Sequence, residues 1–332
     1  MSVRDDPVVS HAYGYLPLFD PAAGETILEP TGTSTGYWVG APCITYDPAQ
    51  RRYLLSYRVR VPRELGRGIE TRIAASHDGR AFETIWSARK EAFGSASVER
   101  FALVRRPDGS GWLLFPSYVD GADDRWRIDV IEAERPEAFD VRTRRQVFTA
   151  ADVGVEGVKD PVVVLVGRQY HMLISYATRP AGTFAREELH GTADIYNTGK
   201  TTSSTGLATS TDGRHWQWQG EVFAPRAGTD AWDAYAARVG CIVSTPPVFT
   251  AFYDGSASVA ENYEERTGLA QSWDLRRYER LTPDDPALVS PHASGSLRYL
   301  DAITVGRAVW FYYEYARPDG SHELRCSVAT LP

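Results

Sequence analysis

Three acidic residues stand at or near the start of apolar, strand-like runs: Glu99 ahead of Arg100-Phe-Ala-Leu-Val, Asp160 ahead of Pro161-Val-Val-Val-Leu, and Asp301 within Leu300-Asp-Ala-Ile-Thr-Val. Carboxyl groups that meet around a pocket have the types that glycosyl transfer needs. One brings a proton to the leaving oxygen, and an ionised one faces water or the anomeric carbon. Glu99 and Asp160 are the candidate catalytic acids, with Asp301 beside them as a candidate substrate contact. Cations adjoin them, Arg100 after Glu99 and Lys159 before Asp160. Arg100, Lys159 and the later Arg238 are therefore candidates for holding substrate, or, on the plainer reading, partners in ion pairs that only tie strands together.

The elements that would position these residues repeat. An apolar strand, a tight turn and an aromatic-rich strand recur at 42–57, 100–118, 161–176, 238–253 and 299–315. The units start about every 60 residues, with one longer gap after the third. A further strand follows each, at 70–76, 126–132, 205–210, 267–272 and 322–328. Ser76-His-Asp-Gly79 and Ser210-Thr-Asp-Gly213 close hairpins in one way, and Ser272-Trp-Asp-Leu275 is a looser copy. Gly tolerates positive φ there and Asp caps the turn. This pattern predicts an all-β chain, a five-bladed β-propeller over residues 37–332, with residues 1–36 packing on or closing it. The last unit lacks a fourth strand, which the segment around 11–28 is placed to supply or cover.

Turns between first and second strands are short, whereas connections between second and third strands run up to the stretch 177–204. Unit-to-unit connectors are long as well. In an antiparallel unit both long sets emerge at the end where first strands begin, so the pocket is expected there. Aligning the units puts Ala41-Pro42, Glu99-Arg100, Asp160-Pro161, Ala237-Arg238 and, with a slip, Tyr299 or Asp301 at the axis. Pro loses no ladder bond at a strand's first position. Strand alternation predicts that Lys159 points to the side of the pleat opposite Asp160.

The stretch Val158-Lys-Asp-Pro-Val-Val-Val-Leu165, read on to Leu173 and with Thr209-Ser-Thr-Asp-Gly-Arg-His-Trp216, resembles the third blade of the five-bladed glycoside hydrolases of families 43, 62, 32, 68, 117 and 130. Those share an Asp-Pro strand start followed by an aromatic second strand. The resemblance implies an enzyme acting on a small glycoside or oligosaccharide. In families 43 and 32 an acid opens the first blade, an Asp the third and a Glu the fourth. Only the Asp carries over, onto Asp160, with the implied role of stabilising the transition state and tuning the acid. The first and fourth positions read Ala41 and Ala237.

Replacement acids are then sought in overhanging loops. Glu261, in the acidic loop 254–266, is the candidate general acid, although a solvated charge run is the plainer reading. Tyr263 in that loop, Trp38 before the first strand, and Tyr196 and Tyr235 are candidate sugar contacts. The insertion 179–204, which contains Tyr196, is expected to cover the pocket mouth.

Lys plus Arg number 36 against 43 Asp plus Glu, a net charge of −7, which argues against nucleic acid or an anionic membrane as partner. No apolar run is long enough for a membrane span and the start has no signal-peptide pattern, so a cytoplasmic protein is expected. Cys43, Cys241 and Cys326 are expected to be buried free thiols. Neither metal-ligand spacing nor a phosphate-binding glycine loop is present, and no cofactor is expected. A non-hydrolytic carbohydrate-binding protein, and a transferase or phosphorylase with phosphate on Lys159, Arg100 and Arg238, remain alternatives.

Overall fold

The structure, a computed structural model, describes Leu16 and residues 18–331. After β1 (Glu25–Leu28) the strands fall into five antiparallel groups. The first is β2 (Trp38–Asp47), β3 (Arg52–Arg60), β4 (Gly68–Ser76) and β5 (Glu83–Arg89). The second is β6 (Ala102–Arg105), β7 (Trp112–Phe115), β8 (Ser117–Val119), β9 (Trp126–Ala133) and β10 (Arg145–Phe148). The short helix α1 (Ala150–Val153) leads into the third group: β11 (Gly157–Val166), β12 (Gln169–Ala177), then helix α2 (Arg186–His190), β13 (Ser203–Ser210) and β14 (Gln217–Phe223). The fourth is β15 (Ala236–Thr245), β16 (Val248–Ser256), β17 (Arg266–Ser272) and β18 (Tyr278–Arg280). The fifth is β19 (Leu297–Val305), β20 (Ala308–Ala316) and β21 (His322–Thr330), and β1 pairs antiparallel with β21, Glu25 opposite Cys326. Residues 11–15 and 17 of the segment expected near that edge lie outside the described residues.

Second strands read as nearly continuous apolar runs because both of their faces are buried. Neighbouring side chains on them go to opposite sides. Leu54 packs with Phe101 and Leu114 of the second group, while Leu55 packs with Tyr312 of the fifth. The same split separates Leu114 from Leu113, Met172 from Leu173, Ala251 from Phe252 and Phe311 from Tyr312. Each pair of successive groups thus encloses an apolar cluster, including the fifth with the first. The first strands follow the same cycle: β2 lies against β6, β6 against β11, β11 against β15, β15 against β19 and β19 against β2.

The repeated turns are built as their residues suggest. Asp78 accepts from the amides of Arg80 and Ala81 at 2.8 and 2.9 Å, and Asp212 from those of Arg214 and His215. Gly79 and Gly213 both have φ of 73°, and in the looser copy Leu275 takes φ of 60° without glycine's freedom.

Close packing also selects glycine inside the fourth group. Gly268 lies opposite Tyr253, whose ring stacks on Trp232, and a Cβ at Gly268 would meet Tyr253 at 2.6 Å and Trp232 at 2.7 Å. Both rings are buried and cannot swing aside. Gly268→Ala is expected to lower stability by about 1–3 kcal/mol in urea unfolding, the usual cost of overpacking. An unchanged midpoint would mean that the two rings yield.

Candidate functional site

All five first strands carry one residue more than their partners near the start. Val98 faces Tyr118 and Ala102 faces Phe115, so four steps on one strand match three on the other. The register shifts in the same sense between Gly40 and Cys43, Lys159 and Val162, Val239 and Cys241, and Arg298 and Asp301. Such a bulge bends the strand and re-aims its side chains. Ala41, Asp160 and Tyr299 sit in it with φ of 52°, 53° and 50°. A non-glycine residue held there costs about 1–3 kcal/mol, a kind of strain that clusters at functional sites.

The bulge corrects two expectations. Lys159 does not point away from Asp160 across the pleat: its Nζ lies 3.2 Å from Asp160 Oδ2, both side chains buried, because alternation fails where the extra residue is inserted. In the fifth group Tyr299, rather than Asp301, takes the position of Asp160, and in the fourth the extra residue is Gly240, three places beyond Ala237.

Glu99 and Asp160 come together on one hydroxyl. Tyr299 Oη lies 3.2 Å from Asp160 Oδ2 and 3.5 Å from Glu99 Oε2. Burial, followed by the negative charges of Asp160 and Glu99, raises the tyrosine well above its usual range, so it keeps its proton and can donate it to only one carboxylate at a time. Burial also pushes the Glu99 carboxyl up, but Arg58, Lys159 and Arg60 outweigh it and hold Glu99 below the usual value, ionised.

From Glu99 an alternating chain of buried arginines and glutamates runs through the site. Arg60 Nη1 lies 3.3 Å from Glu99 Oε1 and Arg58 Nε 3.1 Å from Glu99 Oε2. Arg58 also reaches Glu314 at 2.6 Å, Glu314 accepts from Arg298 at 2.8 Å, and Arg298 reaches Glu265 at 2.7 Å. Glu265 pairs with Arg238 at 2.7 Å, and Arg238 donates onward to Asn262 Oδ1 and Ser203 Oγ. His322 bridges Glu314 and Glu264. Beside the chain lies Asp254, whose two oxygens each sit 3.1 Å from the amide of Tyr299. Burial, and after it the charge of Glu265, pushes Asp254 up to about 7.

The remaining sequence candidates divide between this cluster and other places. Trp38 stacks on His322 with centroids 4.5 Å apart, and the Arg60 guanidinium lies over the rings of both Trp38 and Tyr263, at 4.6 and 4.4 Å. Lys159 lies 4.6 Å over the Tyr196 ring, and Tyr235 donates to the Tyr196 carbonyl. Arg100 and Asp301 instead pair with each other at 3.4 Å and line a separate cavity of about 200 Å³ with Cys43, Val162 and Ile242. Asp301 accepts there from the Ile44 amide. Glu261 stands apart, accepting from Arg266 and the Ala257 amide.

The insertion 179–204 is a packed element. Ile195 and Tyr196 are buried against Val119 and Trp126 of the second group, and Arg67 of the first group donates to Ala193 O and pairs with Asp194. It thus spans three groups at the end where the first strands begin.

Sequence reasoning missed Arg58, Arg60, Arg298, Glu314, Glu265 and Asp254. A signal existed for four of them: Arg58 and Arg60, Asp254 and Glu314 are charges within or ending the most apolar strands, where a buried charge demands a partner. Among the described residues no cluster of three His, Cys, Asp or Glu is placed to hold a metal, and no helix is long and apolar enough to cross a membrane.

No family model matches the sequence, and no curated protein matches it either. The fold does match solved structures over nearly the whole chain. A glycosyl hydrolase from Bacteroides ovatus superposes with a TM-score of 0.63 at 16% identity, covering 97% of this chain and 100% of that one. The β-1,2-mannobiose phosphorylase from Listeria innocua, solved with β-1,2-mannobiose, gives 0.60 at 14% identity with 94% of each chain covered. A thermostable family-43 glycoside hydrolase gives 0.60 at 11% identity with 92% of each covered. The resemblance therefore holds at the level of fold: the chain is all-β and is similar in fold to solved propeller glycoside hydrolases of families 43 and 130.

The proton on Asp254 is open to measurement. A carboxyl raised from 3.8 to about 7 binds more protons in the native state across that interval, so its contribution makes stability fall as pH rises through it. Between about pH 5 and about pH 7 the wild type is expected to lose more stability, or gain less, than Asp254→Asn. Urea unfolding of both proteins at the two pH values checks this, and identical changes would show that Asp254 is ionised throughout.

Proposed function

We propose that the chain is a glycoside-processing enzyme built as a five-bladed β-propeller over residues 37–332, with the preceding segment closing the last blade. It acts on a small carbohydrate at the end of the ring where the first strands begin. The observation that carries this reading is the meeting of Glu99 and Asp160, from successive groups, on the Tyr299 hydroxyl beside the insertion. Glu99, held ionised by Arg58 and Arg60, is the base or nucleophile. Asp160 orients a sugar hydroxyl, and Lys159 and Tyr299 hold it in place. The proton for a leaving oxygen comes from Asp254, the cluster's carboxyl held near neutrality, and Glu261, paired with Arg266, is not assigned that role. Trp38 and Tyr263 supply ring faces for the sugar. The glycoside hydrolases and the phosphorylase among the structural neighbours support the reaction class, and they leave hydrolysis and phosphorolysis both open.

A second reading, carbohydrate binding without turnover, draws support from one observation: Glu99, Glu265 and Glu314 are all tied to arginines, as a purely structural set would be. Kinetics on a panel of 4-nitrophenyl glycosides, with and without inorganic phosphate, separates the two. Asp160→Asn and Glu99→Gln are each expected to lower kcat by on the order of 100-fold while leaving the melting transition cooperative. Saturable sugar binding with no turnover by the wild type, or full activity in both variants, would make the binding protein the better description.

A further inference from the structure

The alternating chain has an unequal count. Its cations are Arg60, Arg58, Arg298 and Arg238, and its anions are Glu99, Glu314 and Glu265. Lys159 and Asp160 form a balanced pair beside it. Glu264, only partly buried, is taken up by His322 and the Ser294 hydroxyl. Within the chain itself the arginines outnumber the glutamates by one, Asp254 lying beside it on the Tyr299 amide, and the ends of the chain show where the extra arginine stands. Arg238 closes its end by donating to Asn262 and Ser203. Arg60 has only Glu99, which it shares with Arg58.

Unpaired donors lie at both ends of the chain. Arg60 Nε, Arg58 Nη1 and Asn262 Nδ2 have no partner, although their residues are only 3%, 0% and 4% exposed. All three can only donate, and the Tyr263 hydroxyl beside them is also unpaired. Buried donors left without acceptors are costly, most of all on a cation, so their native complement is an acceptor-rich group. The Arg60 guanidinium lies over both the Trp38 and the Tyr263 rings, which meet edge to face beside it. A stacked guanidinium presents its N–H edge, which suits a planar carboxylate.

We propose that this end of the site recognises the carboxylate of an acidic sugar, so that the substrate is a uronic acid glycoside, with Arg60 as the residue that sets this specificity. The proposal rests on the glycoside-processing reading. Arg60, which has only a shared glutamate, is matched by one carboxylate. The aromatic faces beside Arg60 serve the sugar ring that carries the carboxylate.

Isothermal titration tests it with the methyl β-glycosides of D-glucuronic and D-galacturonic acid, their neutral counterparts methyl β-D-glucoside and β-D-galactoside, and inorganic phosphate. At least one uronide is expected to bind about tenfold or more tightly than its neutral counterpart, the scale of one charge-assisted hydrogen bond. Arg60→Gln should abolish that preference and Arg60→Lys should keep part of it. Equal binding within both pairs, no binding of either uronide, a preference that survives Arg60→Gln, or tight phosphate binding that excludes the uronide would overturn the proposal. The wild-type comparison decides even if a variant fails to fold. A uronide preference without turnover of any uronide would defeat the enzymatic reading alone, and turnover of neutral glycosides without that preference would defeat this inference alone.

Discussion

The buried alternation of arginine and glutamate is the interaction on which the site depends. Arg58 and Arg60 lie on β3, Glu99 precedes β6, Glu314 and Arg298 lie on β20 and β19, Glu265 precedes β17, and Arg238 on β15 reaches Ser203 of β13. Every group of strands contributes. Taking this many charges from water carries a desolvation penalty that their attraction only roughly offsets, so the chain adds little net stability. What it adds is exclusion of alternatives, because a shift of one group against its neighbour would strand a buried charge. The apolar clusters between groups tolerate small slips far better than this polar stitching does.

The bulges are the second constraint, and they depend on the first strands being hemmed in by neighbours on each side. An extra residue cannot spread outward there, so it is absorbed locally, at positive φ in Ala41, Asp160 and Tyr299. In the third and fifth groups the absorbed residue is functional in type, Asp160 and Tyr299, and the two side chains meet. A regular pleat would have sent Lys159 and Asp160 to opposite faces, whereas the bulge makes them an ion pair.

Much of the fold was legible because it is written in periodicity. Five strand pairs, the Asp-capped turns and the long connections at one end all follow from local rules. The position of Asp160 was marked by Asp-Pro, although the pair lies at a bulge inside β11, where a proline also loses no ladder bond, and not at the strand's start. Tyr299 was only half legible, since no residue type announces a bulge and Ala, Asp and Tyr occupy the same position. Asp301 and Arg100 were expected beside Glu99 and Asp160, but a slip of one residue turns them to each other and to the cavity they line with Cys43. In the loop 254–266 the sequence offered several acids of equal standing. Glu265 and Asp254 lie in the buried cluster and Glu261 pairs with Arg266, a choice made by tertiary packing alone.

The carboxyl groups of the site are sorted by which donors they receive. Glu99, Glu265 and Glu314 are as buried as Asp254, yet guanidinium groups hold each of them below the usual carboxylate range. Asp254 is bonded by the backbone amide of Tyr299 rather than by a guanidinium, so burial wins and it is pushed up to about 7. Acid and base chemistry at one pH requires carboxyls whose environments drive them apart. Where the resemblance expects acids at the positions of Ala41 and Ala237, this chain has none, and apart from Asp160 on β11 the cluster's acids stand on second strands and in the segments leading into strands. How far apart these carboxyls stand in protonation is set by the distribution of arginines around them.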